Sequence, residues 1–243
     1  MTPDKAVLAA AGRRLLGPDC HIGTADIAEA MTLEVGDFEM ELQALGTVSD
    51  VRRAEFLAGR LALRRAQRQM GVDPFPVLPG HDRAPIWPPG LVGSLSHAGR
   101  LAVAVLCRAG PQVFIGVDLE DDAPLNADLQ DIILLDEERR AIHHHPDAGR
   151  MAKLIFACKE AIYKAQYPVT EVLFGFDRVR VEVYPNSRAF VGYLLEKTGK
   201  LPAHTAFCGR YTLLDGLFLC VTSNHHPRPP QTGQHASPWQ GRL

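Results

Sequence analysis

The sequence predicts an α+β fold made of two similar halves, because the same order of elements occurs twice along the chain. In the first half, a helix over residues 51–70 is followed by the β-type runs LAVAVLC and VFIGVDLE within residues 101–120. In the second half, a helix near residues 150–166 precedes the runs AFCGRYTLL and GLFLCVTS within residues 206–223. No repeat is present at the level of single residues, so the duplication is predicted from element order alone.

The composition predicts a globular protein with enough apolar material for one large core or two smaller ones. The 243 residues are 46% hydrophobic and 22% charged. A formal net charge of −2 argues against a broad basic face for DNA or RNA. It leaves room for a local basic pocket that binds one small anion, because net charge does not report on clustering.

The cysteines and the apolar runs predict the compartment. The five cysteines are far apart and form no CxxC pair, so neither a disulfide framework nor a zinc ribbon is expected. The first residues lack the basic-then-apolar order of a secretory signal, and no apolar run approaches the roughly 18 residues of a membrane span. We therefore expect a cytoplasmic protein.

Turn-forming residues delimit the elements of the first half. The helix over 51–70 is rich in good helix formers and is expected to end at Gly71 and Pro74. The proline-rich segment 74–90 predicts an extended, semi-rigid loop. The two β-type runs that follow are separated by a short turn, so we expect them to form a strand pair.

The second half is expected to begin with helices. A helical stretch near 128–142 precedes the helix at 150–166, which should end before Pro168. Further strands are expected at 179–184, 189–196, 206–214 and 216–223. The expected domains are an N-terminal half (1–120), a C-terminal half (121–223) and a disordered tail (224–243).

The segment GVDLE places two carboxylates on one side of a strand. Because strand side chains alternate, Asp118 and Glu120 share a face while Val117 and Leu119 point into the core. Two neighbouring carboxylates repel unless a cation lies between them, and oxygen ligands with substrate phosphates suit Mg²⁺. Acidic residues at a strand end are also common on protein surfaces, and that interpretation stays open for this motif alone.

The segment FACKEAIYKA predicts an amphipathic helix whose charged face carries chemistry. Ile155, Cys158, Ile162 and Ala165 form its buried stripe. Glu160 and Lys164 lie one turn apart on another face, with Lys159 beside them. Glu160 can supply a third carboxylate to a cation or act as a general base, and the two lysines can bind phosphate. A solvated Glu–Lys pair is the alternative.

A further segment suggests an anion site. In GSLSHAG, Gly93 and the small Ser94 and Ser96 predict a tight loop that a ligand can approach, followed by His97 as a hydrogen-bond donor to phosphate. A lone histidine is more often structural.

The helix over 51–70 carries arginines that can bind phosphate bidentately. Arg53, Arg60 and Arg64 fall roughly on one face, with Arg52 near its edge, and a solvated helix face is the alternative. We expect Arg65 and Arg68 to be solvated.

Taken together, these segments resemble the 4′-phosphopantetheinyl transferases of the larger bacterial type. The resemblance follows the order FLAGRLALRRA, LPGHDRAPIWP, GSLSHAG, IGVDLE, FACKEAIYKA and YPVTEVLFGF, over roughly residues 50–176. It implies two similar α+β halves with coenzyme A in the cleft between them. It also implies that a carrier-protein serine attacks the β-phosphate of coenzyme A, so that phosphopantetheine is transferred and adenosine 3′,5′-bisphosphate leaves.

The resemblance implies a role for each candidate residue, by its position in the matching motif. The implied Mg²⁺ ligands are Asp118, Glu120 and Glu160, with the Leu119 carbonyl as a further candidate. The implied coenzyme A ligands are Arg52, Arg60, Arg83, Ser96, His97, Lys159 and Lys164. The implied catalytic residues are Asp118, Glu160, Lys164 and His97.

Some of these roles carry alternatives. Glu160 matches a residue that either binds the metal or deprotonates the serine. Arg52 and Arg60 match arginines that hold the nucleotide end with its 3′-phosphate. Relatives carry a lysine at the position of Pro79, and Arg83 is expected to replace it.

Rival functions are a metal-dependent phosphodiesterase or nuclease, and a non-catalytic coenzyme A-binding module. The nuclease interpretation expects Glu-x-Lys on one strand, whereas Lys159 precedes Glu160 on a helix. A metal site at His143–His145 is disfavoured, because consecutive histidines cannot all face one ion.

The expected partners are coenzyme A and an apo acyl or peptidyl carrier protein, with no nucleic acid and no membrane. The carrier is expected to dock near the second-half helix. It is expected to belong to siderophore, nonribosomal-peptide, polyketide or lipid synthesis. A monomer is expected.

Overall fold

The computed structural model describes residues 3–33, 35–110, 113–224, 226–228, 238–239 and 241. The chain divides into two compact units, with the division between Val113 and Phe114. This division lies before the expected boundary at Glu120, so the GVDLE strand belongs to the second unit. Both units combine helices with an antiparallel sheet, which confirms the α+β class.

The first unit is a long helix against a three-stranded sheet. The sheet has the order β1-β3-β2. Its helices and strands are α1 (Lys5–Leu15), β1 (Cys20–Asp26), α2 (Ile27–Ala30), a 3₁₀ helix (Val35–Phe38), α3 (Glu39–Leu45), α4 (Asp50–Gln69), β2 (Leu91–Ala98) and β3 (Leu101–Arg108). Helix α4 agrees with the predicted helix, and Ser49 caps it by accepting a hydrogen bond from the Arg52 N–H.

The second unit is a longer helix against a five-stranded sheet. The sheet has the order β4-β8-β7-β6-β5. Its elements are β4 (Ile115–Asp121), α5 (Ala127–Ile133), α6 (Asp136–Ile142), α7 (Ala148–Thr170), β5 (Val179–Tyr184), β6 (Ala189–Leu194), β7 (Ala206–Leu214) and β8 (Leu217–Ser223), with 3₁₀ turns at Phe176–Arg178 and Pro185–Ser187. The predicted stripe of α7 is confirmed, because Ile155, Cys158, Ile162 and Ala165 are all buried in one apolar core.

In both units a glycine in the first strand lets the long helix lie very close. A Cβ on Gly23 of β1 would stand 1.9 Å from the Ala62 carbonyl oxygen of α4. A Cβ on Gly116 of β4 would stand 1.9 Å from the Ala161 carbonyl oxygen of α7. No side chain fits at either glycine, so both strands depend on having none there.

The predicted strand pairing of the first half is wrong. LAVAVLC and VFIGVDLE do not form a pair, because β3 has β1 on one side and β2 on the other. β4 instead pairs with β8, from Ile115 opposite Ser223 to Asp121 opposite Leu217. Neither β1 nor β2 was predicted from the sequence, so both actual partners of β3 were missed.

Three local predictions also need correction. The Ser-His segment is not a tight loop but strand β2, in which Ser96 lies opposite Val103. The helical stretch near 128–142 is broken into α5 and α6 at Leu134 and Leu135. Helix α7 continues through Pro168 to Thr170, because a proline near the C-terminal end removes only one late hydrogen bond.

The cysteines also behave differently from the prediction. A disulfide joins Cys20 and Cys107, which face each other across β1 and β3 with their Cα atoms 4.4 Å apart. They are 87 residues apart in sequence, so their spacing could not reveal the pair. In the second unit, the buried thiols of Cys158 and Cys220 lie 3.9 Å apart without a disulfide.

Most of the tail that was expected to be disordered lies outside the described residues. Of the described part, the Trp239 N–H donates to the Val183 carbonyl at the edge of the sheet, at 2.7 Å. The Gly241 carbonyl lies 3.0 Å from Nε2 of His145. Within the described ranges, every helix is too short or too polar to cross a membrane.

Candidate active site

The second unit brings Asp118 of β4 and Lys164 of α7 together. Asp118 is 2% exposed, and its Oδ1 accepts a hydrogen bond from the Lys164 ammonium at 2.5 Å. The close approach of strand and helix at Gly116, two residues before Asp118, makes this contact short. A buried carboxylate paired with a half-exposed ammonium is a charged site with access to solvent.

Glu120, the second carboxylate of the GVDLE motif, is paired with Lys153 of α7. The Lys153 ammonium lies 3.2 Å from Glu120 Oε2 and 3.4 Å from Asp121 Oδ1. Burial raises the pKa of Glu120, the charge of Asp118 raises it further, and Lys153 opposes the rise. Asp118 and Glu120 are therefore close enough to repel each other.

Glu160 of α7 belongs to the same charged group. Burial raises the pKa of Glu160, the charge of Lys164 opposes the rise, and the charge of Asp118 adds to it. A carboxylate whose pKa is raised toward neutrality is a better proton acceptor than an ordinary surface glutamate. The structure thus brings the candidates Asp118, Glu160 and Lys164 close together, with Lys164 bound to Asp118.

The three carboxylates fit Mg²⁺ in their chemistry. They offer oxygen ligands only, and the mutual repulsion at Asp118 is the kind that a divalent cation relieves. Among the described residues, however, no three His, Cys, Asp or Glu side chains are grouped closely enough to hold a metal ion. Instead, lysine ammonium groups contact Asp118 and Glu120. His143–His145 are likewise not part of such a group in the described part of the chain.

Lys159 lies in the interior rather than on the charged face. Its side chain is 2% exposed, and its ammonium lies 2.8 Å from Oε2 of Glu138 of α6. It also donates to the carbonyls of Ile133 and Phe176, at 2.8 and 3.0 Å. These three acceptors match the three N–H groups of an ammonium, so the predicted phosphate contact would require the ion pair to open.

A cavity of about 140 Å³ opens beside Glu160. The rings of Tyr163 and Phe174 meet edge to face at 5.4 Å, so this wall is aromatic and rigid. The lining residues are Lys159, Glu160, Tyr163, Phe174, Gly175, Phe176 and Val179. An apolar cavity with one carboxylate at its side suits a slender, mostly apolar chain.

In the first unit, the pairing of β2 with β3 positions His97 near α4. Arg52 Nη1 lies 3.2 Å from His97 Nε2, and Arg52 also lies 3.4 Å from Glu55. The same Nε2 lies 3.7 Å from Oε2 of Glu55, so Arg52, His97 and Glu55 form one polar group near the start of α4. The structure brings Arg52 and His97 together, a contact that the sequence did not predict.

Arg60 is a buried cation in the same unit. Only 6% of it is exposed, its guanidinium lies 4.3 Å from the centre of the Phe56 ring, and burial lowers its pKa to about 10. Within the described residues its Nε has no hydrogen-bond partner. A buried guanidinium with an unused donor is suited to an anion. Arg64, one turn further, is instead held by Glu41 in a buried ion pair.

Ser96 and Arg83 are the remaining candidates of the first unit. Ser96 is buried within β2. Arg83 is exposed on a tight turn with positive φ, where its N–H donates to the Gly80 carbonyl. The expectation of a solvated Arg65 is wrong, because its guanidinium binds Glu29 and the Thr24 carbonyl.

Sequence reasoning missed Lys153, Glu138 and Glu41, which pair with charges of the long helices. Lys153 lies seven residues before Glu160, two helical turns away, and this spacing could have revealed it. Glu138 and Glu41 gave no local signal, because their partners lie more than twenty residues away in sequence.

Comparison with known proteins points to one family. The family model described as 4′-phosphopantetheinyl transferase N-terminal domain matches residues 41–107, and that of the 4′-phosphopantetheinyl transferase superfamily matches residues 114–212. The chain is 30% identical to 4′-phosphopantetheinyl transferase Svp of Streptomyces mobaraensis, over 79% of each chain. It is 33% identical to PptT of Mycobacterium tuberculosis, over 69% of this chain and 77% of that one. Enterobactin synthase component D of Salmonella typhi is 36% identical over 54% of each chain.

Proposed function

The chain belongs to the 4′-phosphopantetheinyl transferase superfamily, and we propose that Asp118, Glu160 and Lys164 carry its chemistry. The protein is a 4′-phosphopantetheinyl transferase that activates carrier proteins. In the proposed reaction the carrier serine attacks the β-phosphate of coenzyme A, and adenosine 3′,5′-bisphosphate leaves. The observation that supports this assignment is the buried charged group at α7 and β4, with an apolar cavity beside it.

Glu160 is the proposed acceptor of the serine proton. Its raised pKa, caused by burial and by Asp118, matches a base that must hold the proton while the oxygen attacks. Lys164 contacts Asp118 and can turn toward the diphosphate, where an ammonium stabilises charge on the leaving oxygen. Catalysis in this scheme consists of positioning and charge stabilisation.

Asp118, Glu120 and Glu160 are the proposed holders of Mg²⁺. When bound, the ion would neutralise charge on the diphosphate as the nucleotide leaves. Lys164 and Lys153 would have to release their carboxylates for all three acids to reach one ion. The alternative role of Glu160 is that of the proton acceptor alone, with Asp118 and Glu120 as the carboxylate ligands of the ion.

The cavity beside Glu160 is the proposed site of the pantetheine arm. The arm is a slender chain with amide groups, and it suits aromatic walls with few polar groups. Tyr163 and Phe174 would line the arm, and Lys159 would shape the cavity through its ion pair rather than by binding phosphate.

The first unit is the proposed holder of the nucleotide end. Arg60 offers a buried cation, and Arg52 with His97 offers donors for a phosphate, while Ser96 and Arg83 stay predicted contacts. That one coenzyme A molecule is held by both units, as the resemblance implies, also stays a prediction.

The carriers are proposed by analogy. Enterobactin synthase component D is named for siderophore synthesis, so carriers of siderophore, nonribosomal-peptide, polyketide and lipid synthesis are the ones to test. Docking of the carrier near α7 and the monomeric state stay predictions.

Mass spectrometry of apo carriers incubated with the enzyme, coenzyme A and Mg²⁺ tests the proposal. A gain of one phosphopantetheine mass is expected with the wild type and should be lost with Glu160→Gln and Lys164→Met. Full transfer by Glu160→Gln would refute Glu160 as the base. Release of adenosine 3′,5′-bisphosphate without any carrier would instead favour a phosphodiesterase.

A further inference from the structure

The carboxylates at the end of β4 are each paired with a basic residue of α7. Asp118 pairs with Lys164 at 2.5 Å, and Glu120 pairs with Lys153 at 3.2 Å. One step further, Arg150 pairs with Asp122 at 2.6 Å. The helix therefore presents a row of cations to a row of acids, and only the Lys164 position was marked by the sequence motif.

Lys153 is firmly held at the middle of this row. Its side chain is only 13% exposed, and its ammonium touches both Glu120 and Asp121. The ammonium also lies 5.9 Å from the centre of the Phe156 ring, within the range of a cation–π contact. Such a shielded ammonium interacts with a neighbouring carboxylate more strongly than a surface lysine does.

From this arrangement we propose that Lys153 is a positioning residue that holds Glu120 before the metal binds and competes with the metal for it. The inference rests on the proposed function, because it takes Glu120 as a metal ligand. The Lys153 ammonium offsets the repulsion between Glu120 and Asp118, so the two acids stay side by side without a divalent cation. A divalent cation that binds Glu120 must displace this ammonium from the carboxylate.

The consequence is a weakened affinity for metal in the enzyme without substrate. Each positive charge next to the acids opposes the binding of a second cation. Removing the charge of Lys153 therefore strengthens metal binding, while an arginine at the same place preserves the competition. Arg150 provides a matched control, because it is a cation of the same helix paired with an acid outside the proposed metal ligands.

The test measures Mn²⁺ binding to the full chain by electron paramagnetic resonance, in the absence of coenzyme A. Lys153→Gln is expected to bind Mn²⁺ roughly tenfold more tightly than the wild type, on the basis of one charge lost near the ion. Lys153→Arg should match the wild type within about twofold, and Arg150→Gln should change the affinity much less than Lys153→Gln does. Equal affinities for Lys153→Gln and Arg150→Gln would overturn the inference, and so would no Mn²⁺ binding by any variant.

A second measurement uses the unaltered protein, so it does not depend on how a variant folds. The rate of acetylation of Lys153, followed by peptide mass spectrometry, should rise several-fold when Mn²⁺ displaces the ammonium from Glu120. Lys5, which pairs with Glu29 at 2.6 Å in the first unit, is the internal control and should not respond. Unchanged protection of Lys153 at saturating Mn²⁺ would overturn the inference.

The carrier assay separates this inference from the proposed function. If phosphopantetheine is transferred in an Mg²⁺-dependent way but Lys153→Gln binds Mn²⁺ like the wild type, only the role of Lys153 is wrong. If the Mn²⁺ results are as expected but no carrier gains phosphopantetheine, Lys153 still competes with the metal for Glu120, and the catalytic roles proposed for this site are wrong.

Discussion

Both units pack the first strand very closely against the long helix, and they do so in the same way. In each, a glycine of the first strand lies against the backbone of the long helix, so that an added Cβ would meet a carbonyl oxygen at 1.9 Å. The contacted residues are Ala62 for Gly23 and Ala161 for Gly116, and the N–H group four residues further along the helix is also close in both. The same strand–helix contact therefore occurs twice in the chain.

The residues around this contact are what differ. Two positions after the strand glycine, the first unit has the buried Ala25 and the second has Asp118. On the helix, just before the contacted alanine, the first unit has the buried Leu61 and the second has Glu160. Two apolar side chains in one unit thus correspond to two carboxylates in the other.

The cations at the corresponding positions bind different partners in the two units. Arg65 of the first unit stands three residues after Ala62 and binds Glu29 and a backbone carbonyl, as part of the scaffold. Lys164 stands three residues after Ala161 and binds Asp118. One strand–helix scaffold can therefore be used either for packing alone or for chemistry, depending on a few side chains at its tightest contact.

Removing a charge from the second contact is expected to have the largest effect. Asp118→Asn keeps the shape but loses the carboxylate, so we expect the rate of carrier modification to fall about 10³-fold, the usual scale for one lost electrostatic contact. Mass spectrometry of the carrier with time measures it. Asp122→Asn is the control and should keep nearly the full rate, because Asp122 pairs only with Arg150 among these charges. A rate of Asp118→Asn close to that of the control would refute the assignment.

Breaking a buried ion pair in either unit is expected to give the next largest effect, a loss of stability. Lys159→Met leaves Glu138 as a buried charge, and Arg64→Met does the same to Glu41, so each should lower the free energy of unfolding by about 3–5 kcal/mol. Denaturant unfolding followed by circular dichroism measures both.

A control replaces both partners of one pair. Lys159→Met combined with Glu138→Leu should recover part of the loss, because no buried charge is left without a partner. A free energy of unfolding of Lys159→Met within about 1 kcal/mol of the wild type would show that the pair of Lys159 with Glu138 contributes little to stability. Lys159 could then open the pair and bind phosphate, as the sequence predicted.

The glycines test whether the two contacts are equivalent. Gly23→Ala and Gly116→Ala should each destabilise the protein by about 1–3 kcal/mol or prevent folding, because the new Cβ overlaps helix backbone that cannot move alone. Thermal unfolding compares them. Gly36→Ala is the control, because a Cβ there meets nothing within 4 Å. A neutral result for one glycine only would show that the two contacts are not alike.

The smallest effect is a difference in pH dependence. Binding to Arg65 lowers the pKa of Glu29 from 4.5 to about 2, so Glu29 stabilises the fold above pH 4.5 and this stability is lost as the pH falls toward 2. Burial raises the pKa of Glu160, so stability is lost as the pH rises from 4.5 through the higher value in the fold.

Glutamine variants make the two signs measurable. At neutral pH, Glu29→Gln should lower the free energy of unfolding and Glu160→Gln should raise it, each by about 1 kcal/mol or less. Titration of unfolding from acid to neutral pH compares the slopes. Equal signs for the two variants would contradict the opposite environments of these carboxylates.

Much of the charged site was readable from local patterns. The apolar stripe of α7 gave its buried face, and it left Glu160 and Lys164 on the other side, where the structure has them. The alternation of β4 put Asp118 and Glu120 on one side, which agrees with the rise that the charge of Asp118 causes in the pKa of Glu120. Both patterns repeat over a few residues, so they need no knowledge of distant contacts.

The predictions that failed concern residues whose partners are distant in sequence. Lys159 and Lys164 are both lysines of one helix, yet only Lys159 is buried, because Glu138 and two carbonyls surround its ammonium. The Ser-His segment has the small residues of a loop, but β3 offers it a full ladder of backbone bonds. In both cases the neighbours decide, and they are remote in sequence.

Local sequence patterns were enough to predict the α+β class, the long helices and the residues that carry the family's motifs. The pairing of acids with lysines, the disulfide and the place of β4 beside β8 became known only from the fold. The physical reason is range: periodicity and turn residues act within a few positions, whereas ion pairs, disulfides and sheet order are set by whichever distant groups the packed core brings into contact.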